Sequence, residues 1–486
     1  MLHPGLRKRN WSKVAWMGVG LLLFAIVFFS PQWNATTDPL GETVYLSEQG
    51  KLAVGLFLLA VVWWVFEVVP IGVTGIAIGV IQALFMIRDP RVAMTDFLDP
   101  SVWFIIGSLV IGRAFTKTGI TKRIAYRMLI IVGERTSMIY LGCFMLTALL
   151  TMVMAHTAVA AAIFPVLFTI YGMYSPDFKP SNFGKGLFIG MAFSAGAGSI
   201  VTLLGAARGA VALGYYSDIV GRNISFFELS KYMFPVGWSM VLIIWLYMLV
   251  MFPPEQKTVP GLRDRAKLLS GKTGPIKMKE LATLFIVVSC LAMLTIQAFI
   301  PELQHISRSA IILVGTLMFF ILRILRVDDL EEIPWNIVLL FGGAMSLGFC
   351  LWETGAARWL AVQWLGVIQN APWFWFVMGL ALLMLIMTNL VMNVAAVAIL
   401  LPVGLVIAEY LNVSPELVLF SSLVVAGMPF LFLIGAAPNA IAYESSQFSA
   451  GEFFKAGIPA SIILLLVLMV FVRWIWPWMG MPTSAS

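Results

Sequence analysis

Charge is what this sequence has least of. Asp, Glu, Lys and Arg make up 11% of its 486 residues, against about 25% in soluble globular chains. That deficit excludes an ordinary water-soluble domain. Histidine is almost as scarce: three in the whole chain all but exclude a multi-histidine metal centre, and no metal site is expected. The three cysteines, Cys143, Cys290 and Cys350, all fall inside apolar runs. Their spacing suits neither a disulfide framework nor a metal, and they read as small core residues. No nucleophile–base set stands out, so no catalytic residue is assigned, no cofactor is implied, and a membrane enzyme is the weakest function class.

What is present is hydrophobic: 60% of the chain, in runs of about 20 residues, enough to cross a hydrocarbon core of roughly 30 Å. Runs near 14–30, 51–67, 71–87, 101–121, 186–215, 231–252, 281–299, 308–325, 335–360, 416–444 and 457–477 predict eleven spans. Arg7, Lys8, Arg9 and Lys13 precede the first run, Val14–Ser30, which reads as a retained span rather than a cleaved signal. Two further stretches, 138–173 and 372–410, are too long for one crossing. Each is interrupted at its middle, by His156-Thr157 and by Asn393. Such stretches fit re-entrant hairpins whose tips are buried in protein; the alternative is two ordinary spans joined by a tight turn.

Charge bias tests the hairpins. With the N-terminus inside, the inner segments are 1–13, 122–137, 174–185, 253–280, 326–334 and 445–456, and they hold most of the Lys and Arg. The outer segments keep chiefly Arg88, Arg91 and Arg222. Reading either long stretch as two spans would move the 253–280 cluster outside, against the positive-inside bias. The net charge of +7 is therefore membrane-loop charge, and no nucleic-acid partner is expected. Trp474, Trp476 and Trp478 read as interface anchors at a span end.

The chain also repeats itself. Lys117-Thr118-Gly119-Ile120 pairs with Glu353-Thr354-Gly355-Ala356. Thr157-Ala158 and Phe164-Pro165-Val166 pair with Val394-Ala395 and Leu401-Pro402-Val403. Gly205-Ala206-Ala207-Arg208-Gly209-Ala210 pairs with Gly435-Ala436-Ala437-Pro438-Asn439-Ala440. One copy begins outside and the other inside, so the repeat is inverted, and inverted repeats with broken helices place a site where the breaks meet. Half-helix N-termini suit an anionic group; exposed carbonyls at the opposite ends suit a small cation.

These residues resemble the divalent anion–sodium symporter family. The resemblance is carried by Trp63-Trp64-Val65-Phe66-Glu67-Val68-Val69-Pro70 with Thr74, by Gly107 to Gly119 against Gly342 to Gly355, and by Gly435-Ala436-Ala437-Pro438-Asn439 in place of the family's Gly-Thr-Pro-Pro-Asn turn. It implies an all-α integral membrane protein of eleven transmembrane helices and two re-entrant hairpins in an inverted-topology repeat, a homodimer, and an elevator-like transport domain moving against a scaffold. On that plan 1–134 are N-terminal scaffold helices. Residues 135–255 are a first transport half, with hairpin 138–173, broken helix 186–215 and helix 231–252. Residues 256–280 are a basic cytoplasmic linker and 281–365 a second set of scaffold helices. Residues 366–486 are a second transport half, with hairpin 372–410, broken helix 416–444 and helix 457–477. The family carries Ser-Asn-Thr at both tips; here they are Ala155-His156-Thr157 and Met392-Asn393-Val394, and the first turn is Gly205-Ala206-Ala207-Arg208-Gly209.

The site is therefore expected at Arg208, His156, Thr157, Asn393, Asn439, Gly205 and Gly435, with a residual cation site at Asn393, Gly435, Ala437 and Asn439. Arg208, at membrane depth, is either a bidentate anion ligand or one half of a fixed pair with a buried carboxylate. His156 is a satisfied hydrogen-bonder, a substrate ligand or a proton carrier. Glu67 and Glu353 read as scaffold or cap pairs, and Arg113 can snorkel to the boundary near Gly119. The expected function is secondary active transport of a small carboxylate, sulfonate or sulfate across the inner (plasma) membrane, by exchange or proton linkage rather than full sodium coupling, with lipid as the surrounding partner. The alternative is a non-transporting receptor or structural subunit.

Overall fold

Glycine and proline cut the long apolar runs into defined pieces, and a computed structural model, which describes residues 11–37, 43–368 and 372–484, shows where. Arg7, Lys8 and Arg9 lie outside the described residues, as does 369–371, which falls within the expected second transport half, 366–486. In chain order the helices are α1 Trp11–Phe29, α2 Glu48–Val65, α3 Ile71–Leu84, α4 Pro90–Thr95, α5 Pro100–Thr118, α6 Ile120–Val132, α7 Thr136–Thr151 and α8 His156–Tyr174. Then come α9 Asn182–Ser199, α10 Arg208–Val220, α11 Phe226–Met251, α12 Leu262–Lys272, α13 Met278–Ile296, α14 Arg308–Ile321 and α15 Val327–Glu331. The chain continues with α16 Trp335–Glu353, α17 Ala356–Ile368, α18 Trp373–Leu390, α19 Asn393–Tyr410, α20 Pro415–Ala426, α21 Ala437–Tyr443 and α22 Ala450–Val470. A two-residue antiparallel ribbon pairs Thr36 with Val44. Among the described residues ten helices are long and apolar enough to cross a membrane.

The repeat is visible as an order of elements. The series α5–α6, α7–α8, α9–α10, α11 is matched by α16–α17, α18–α19, α20–α21, α22. Proline falls at the tenth residue of all four long members that carry one inside: Pro165 in α8, Pro402 in α19, Pro235 in α11 and Pro459 in α22. Each removes the intrahelical hydrogen bond to the carbonyl of the sixth residue, in the second turn. α11 and α22 both start on a serine, Ser225 and Ser449, whose hydroxyl accepts the N–H of Glu228 or Glu452, satisfying one of the free donors of the first turn.

Several sequence boundaries move. The expected spans 101–121 and 335–360 are shorter, because Gly119 and Gly355 adopt left-handed backbone (φ 84° and 75°) and end α5 and α16. Each is followed by a separate helix, α6 and α17, that hydropathy did not predict. The 256–280 segment, expected as a linker, contains the helix α12. Trp476 is not an interface anchor: it is fully buried, and its ring N–H donates to the Tyr232 carbonyl at 3.1 Å, while Trp474 and Trp478 are exposed.

Two compact units partition the chain. One comprises 1–99, 334–371 and 398–412. In it α3 packs on α16 at Gly75 and Gly343: a side chain on Gly343 would collide with the Gly75 backbone, and one on Gly75 with the Leu339 carbonyl. Arg88 bonds Asp96 at 2.6 Å and Glu353 at 2.7 Å, so Glu353 is a scaffold pair; Glu67, in the turn after α2, takes Lys13 on its backbone carbonyl. The other unit comprises 100–333, 372–397 and 413–486 and contains both hairpin tips and both helix breaks. There Arg113 is paired with Asp329 and Glu332, and α10 is fastened to α20 by the Tyr216 hydroxyl, which donates to buried Glu416 at 2.6 Å.

Candidate functional site

The first hairpin turns over Met152–Ala155, and its tip is fastened to the break between α9 and α10. The backbone N–H of His156 donates to the Gly205 carbonyl at 2.9 Å, and its ring Nδ1 lies 3.2 Å from the same oxygen. A carbonyl can only accept, so Nδ1 carries the hydrogen, and both lone pairs of the Gly205 oxygen are engaged. The Thr202 hydroxyl donates to the Met152 carbonyl at 2.6 Å. Gly205 has to be glycine: a Cβ there would stand 2.5 Å from the Thr151 carbonyl and 2.6 Å from that of Ser199.

Arg208 opens α10 with its side chain fully buried. Nη2 donates to the Ser199 hydroxyl at 2.7 Å, which donates in turn to the Gly196 carbonyl at 2.7 Å. A Cβ on Gly427 would stand 2.8 Å from the same Nη2. Ser199 ends α9, and Gly427 caps the C-terminus of α20. The guanidinium thus occupies the negative ends of two helix dipoles, the kind of place in a broken helix where a small cation would be held. No carboxylate pairs with Arg208 among the described residues, and Nη1 is buried without a hydrogen-bond partner. That removes the fixed ion pair as an explanation for Arg208.

The second tip is also fastened to its break, with the hydroxyl now on the tip side. The Thr388 hydroxyl donates to the Ala426 carbonyl at 3.1 Å, and Asn389 accepts the Leu431 N–H at 2.8 Å. Gly435 passes the Thr388 carbonyl as Gly205 passes that of Thr151, with a Cβ at Gly435 standing 3.2 Å from it. Asn439 is committed to its own loop: its amide nitrogen donates to the carbonyls of Pro429 at 2.8 Å and Phe432 at 3.1 Å. Ala437, the first residue of α21, offers no side-chain oxygen. Asn393, the first residue of α19, is buried; among the described residues its amide has no hydrogen-bond partner. Thr157, half-buried in the first turn of α8, is likewise uncommitted.

The short helix α21 packs on α8 and α9, and Gly196 of α9 faces the Gly427 carbonyl, 2.8 Å from where a Cβ would sit. The two breaks are therefore neighbours. Arg208, His156 and Gly205 come together at the first break, and Gly435 and Asn439 belong to the second. Residues 18–482 match the family described as the sodium:sulfate symporter transmembrane region. The chain belongs to this family, the divalent anion–sodium symporters.

Its relatives include sodium-dependent dicarboxylate transporters SdcS. That of Staphylococcus saprophyticus is 23% identical over 97% of this chain and 93% of its own length. That of Staphylococcus aureus (strain bovine RF122) is 25% identical over 95% and 90%. Among solved structures, Neisseria gonorrhoeae MtrF, whose structure and function illuminate a class of antimetabolite efflux pumps, aligns with a TM-score of 0.63 at 12% identity, covering 100% of this chain and 98% of its own. The Alcanivorax borkumensis YdaH transporter aligns with a TM-score of 0.51 at 13% identity, with 98% of each chain covered. At such identities these two show the fold alone. The family is one of transporters, not enzymes.

For this member of the symporter family, sequence reasoning missed Ser199, Thr202, Thr388, Asn389 and Gly427. Thr388 was within reach: it precedes Asn393 by the same five residues that separate Thr151 from His156. Gly427 carries no sequence signal, because its importance is the space it leaves for a side chain from the other copy.

Proposed function

We propose that the chain is a secondary active transporter of a small organic or inorganic anion, of the carboxylate, sulfonate or sulfate class, that works by exchange rather than full sodium symport. The observation that carries this reading is Arg208: a buried guanidinium with no carboxylate partner among the described residues and one nitrogen left uncommitted. An anion arriving at Nη1 satisfies that donor and neutralises a charge that is costly to leave buried and unpaired. Thr157 and Asn393, in the first turns of two long helices, supply further donors beside the positive dipole ends.

A bound sodium ion leaves at the end of each cycle and its gradient can drive uptake. A covalently held guanidinium cannot leave, so the empty carrier must move an unneutralised charge through a low-dielectric barrier. The loaded carrier crosses faster, which is exchange. A proton-linked variant would run through the imidazole of His156, the one histidine at the tips and breaks. On the second side, Asn439, Gly435, Ala437 and Asn393 define the place for a residual cation, although Asn439 already covers two carbonyls there.

The movement we assign is of elevator type, supported by the grouping of both tips and both breaks in one compact unit. Residues 135–255 and 366–486 are the moving halves and 1–134 with 281–365 the scaffold, joined by 256–280. The compact units draw the line elsewhere, grouping 100–134 and 281–333 with the breaks. We place the protein in the plasma (inner) membrane as a homodimer, with its N-terminus in the cytoplasm on the bias of Lys and Arg among its loops. Uptake of labelled carboxylates, sulfonates and sulfate into proteoliposomes tests the reading. Saturable uptake lost in Arg208→Gln is expected; binding without uptake would make the protein a receptor.

A further inference from the structure

The four pieces of chain that form the tips and breaks are 151–157, 196–209, 388–394 and 426–440. Between them they contain one arginine, one histidine, no lysine and no carboxylate. The charge that this site can offer a ligand is thus set by one guanidinium, unless a cation joins it. Five backbone carbonyls at the tips and breaks already accept hydrogen bonds from protein donors. The Gly205 oxygen accepts from the His156 N–H and faces its Nδ1. The Met152 oxygen accepts from Thr202, and the Ala426 oxygen from Thr388. The Pro429 and Phe432 oxygens accept from Asn439.

We infer that the substrate of this transporter carries a single negative charge: a monocarboxylate, a sulfonate, or a dicarboxylate derivative with one acid group masked. The inference rests on the reading of the site as an anion carrier. The physical reason is neutrality of the bound complex. A monoanion against Arg208 leaves no net charge in a buried, low-dielectric place, whereas a dianion brings a second charge that no fixed cation in the four segments answers. The uncharged donors, Thr157 and Asn393, then serve a neutral polar group at the far end of the ligand. An amide or hydroxyl fits them as well as a carboxylate does, without the desolvation of a second charge.

The test is a set of ligands matched in size and differing in charge, at pH 7.5 without sodium, read by thermal shift and by titration calorimetry on the purified full-length protein. Succinamate is compared with succinate, and methanesulfonate with sulfate. The expected result is that each monoanion binds at least tenfold more tightly than its dianion, about 1.4 kcal/mol, and that Arg208→Gln abolishes the binding of both. Tighter binding of succinate or sulfate would overturn the inference while leaving the anion reading intact. So would dianion binding that appears only when sodium is added, since it would reveal a cation that the site holds after all. If no anion binds and Arg208→Gln changes nothing, the reading of the site itself fails, and this inference with it.

Discussion

Arg208 sits in a cradle that can be taken apart one side chain at a time. Gly427 leaves the room and Ser199 the acceptor. Gly427→Ala would put a methyl against Nη2 and Ile200; overpacking of this kind costs about 1–3 kcal/mol, and we expect both a lower melting temperature and weaker anion binding. Arg208→Gln should behave differently. The ligand-free protein loses an uncompensated charge and should be at least as stable, while the stabilisation by anion, about 2.7 kcal/mol at a hundredfold excess over Kd, should vanish. A thermal-shift titration of the three proteins separates these outcomes. Arg208 could be read in the sequence because a lone guanidinium in an apolar run is anomalous. The commitment of Asn439 to its own loop could not, because the motif puts an amide at that position without saying which carbonyls it will meet.

At the scale of elements, the repeat was legible in the Gly-Ala-Ala turns and in the Phe-Pro-Val and Leu-Pro-Val triplets, and the helix pairs α7–α8 and α18–α19 and the broken helices follow in matching order. What it blurred were the helices that follow Gly119 and Gly355. Hydropathy runs on across Gly355, while after Gly119 the helix carries Lys122, Arg123 and Arg127 and reads in the sequence as a loop; only the left-handed backbone shows each turn. The caps of the repeat are testable. Ser449→Ala removes the hydroxyl that holds the Glu452 N–H at 3.2 Å and should cost about 1 kcal/mol. A pH effect arises at Glu255, in the loop after α11. Burial pushes its carboxyl up, but the Asn182 N–H at 2.5 Å, the Tyr174 hydroxyl at 2.8 Å and the Phe183 N–H at 3.3 Å bond the charged form and win. The folded-state pKa therefore lies below the ordinary 4.5. Stability from this group is complete above 4.5 and is lost as pH falls through the depressed value. Glu255→Gln should flatten that part of an acid-unfolding curve followed by tryptophan fluorescence.

For the whole molecule, the central claim is that a fixed guanidinium has taken over the work of a coupling ion. That exchanges freedom for simplicity: the carrier needs no sodium to neutralise its anion, and it cannot return empty with ease. Family membership by itself would have suggested sodium coupling, since the SdcS relatives carry it in their names; the departure rests on Arg208, His156 and the engaged carbonyls. The most direct test is efflux of labelled anion from loaded proteoliposomes, with and without unlabelled anion outside, in the presence and absence of a sodium gradient. The account predicts strong acceleration by external anion and indifference to sodium. Sodium-driven net accumulation, with no acceleration by external anion, would contradict it.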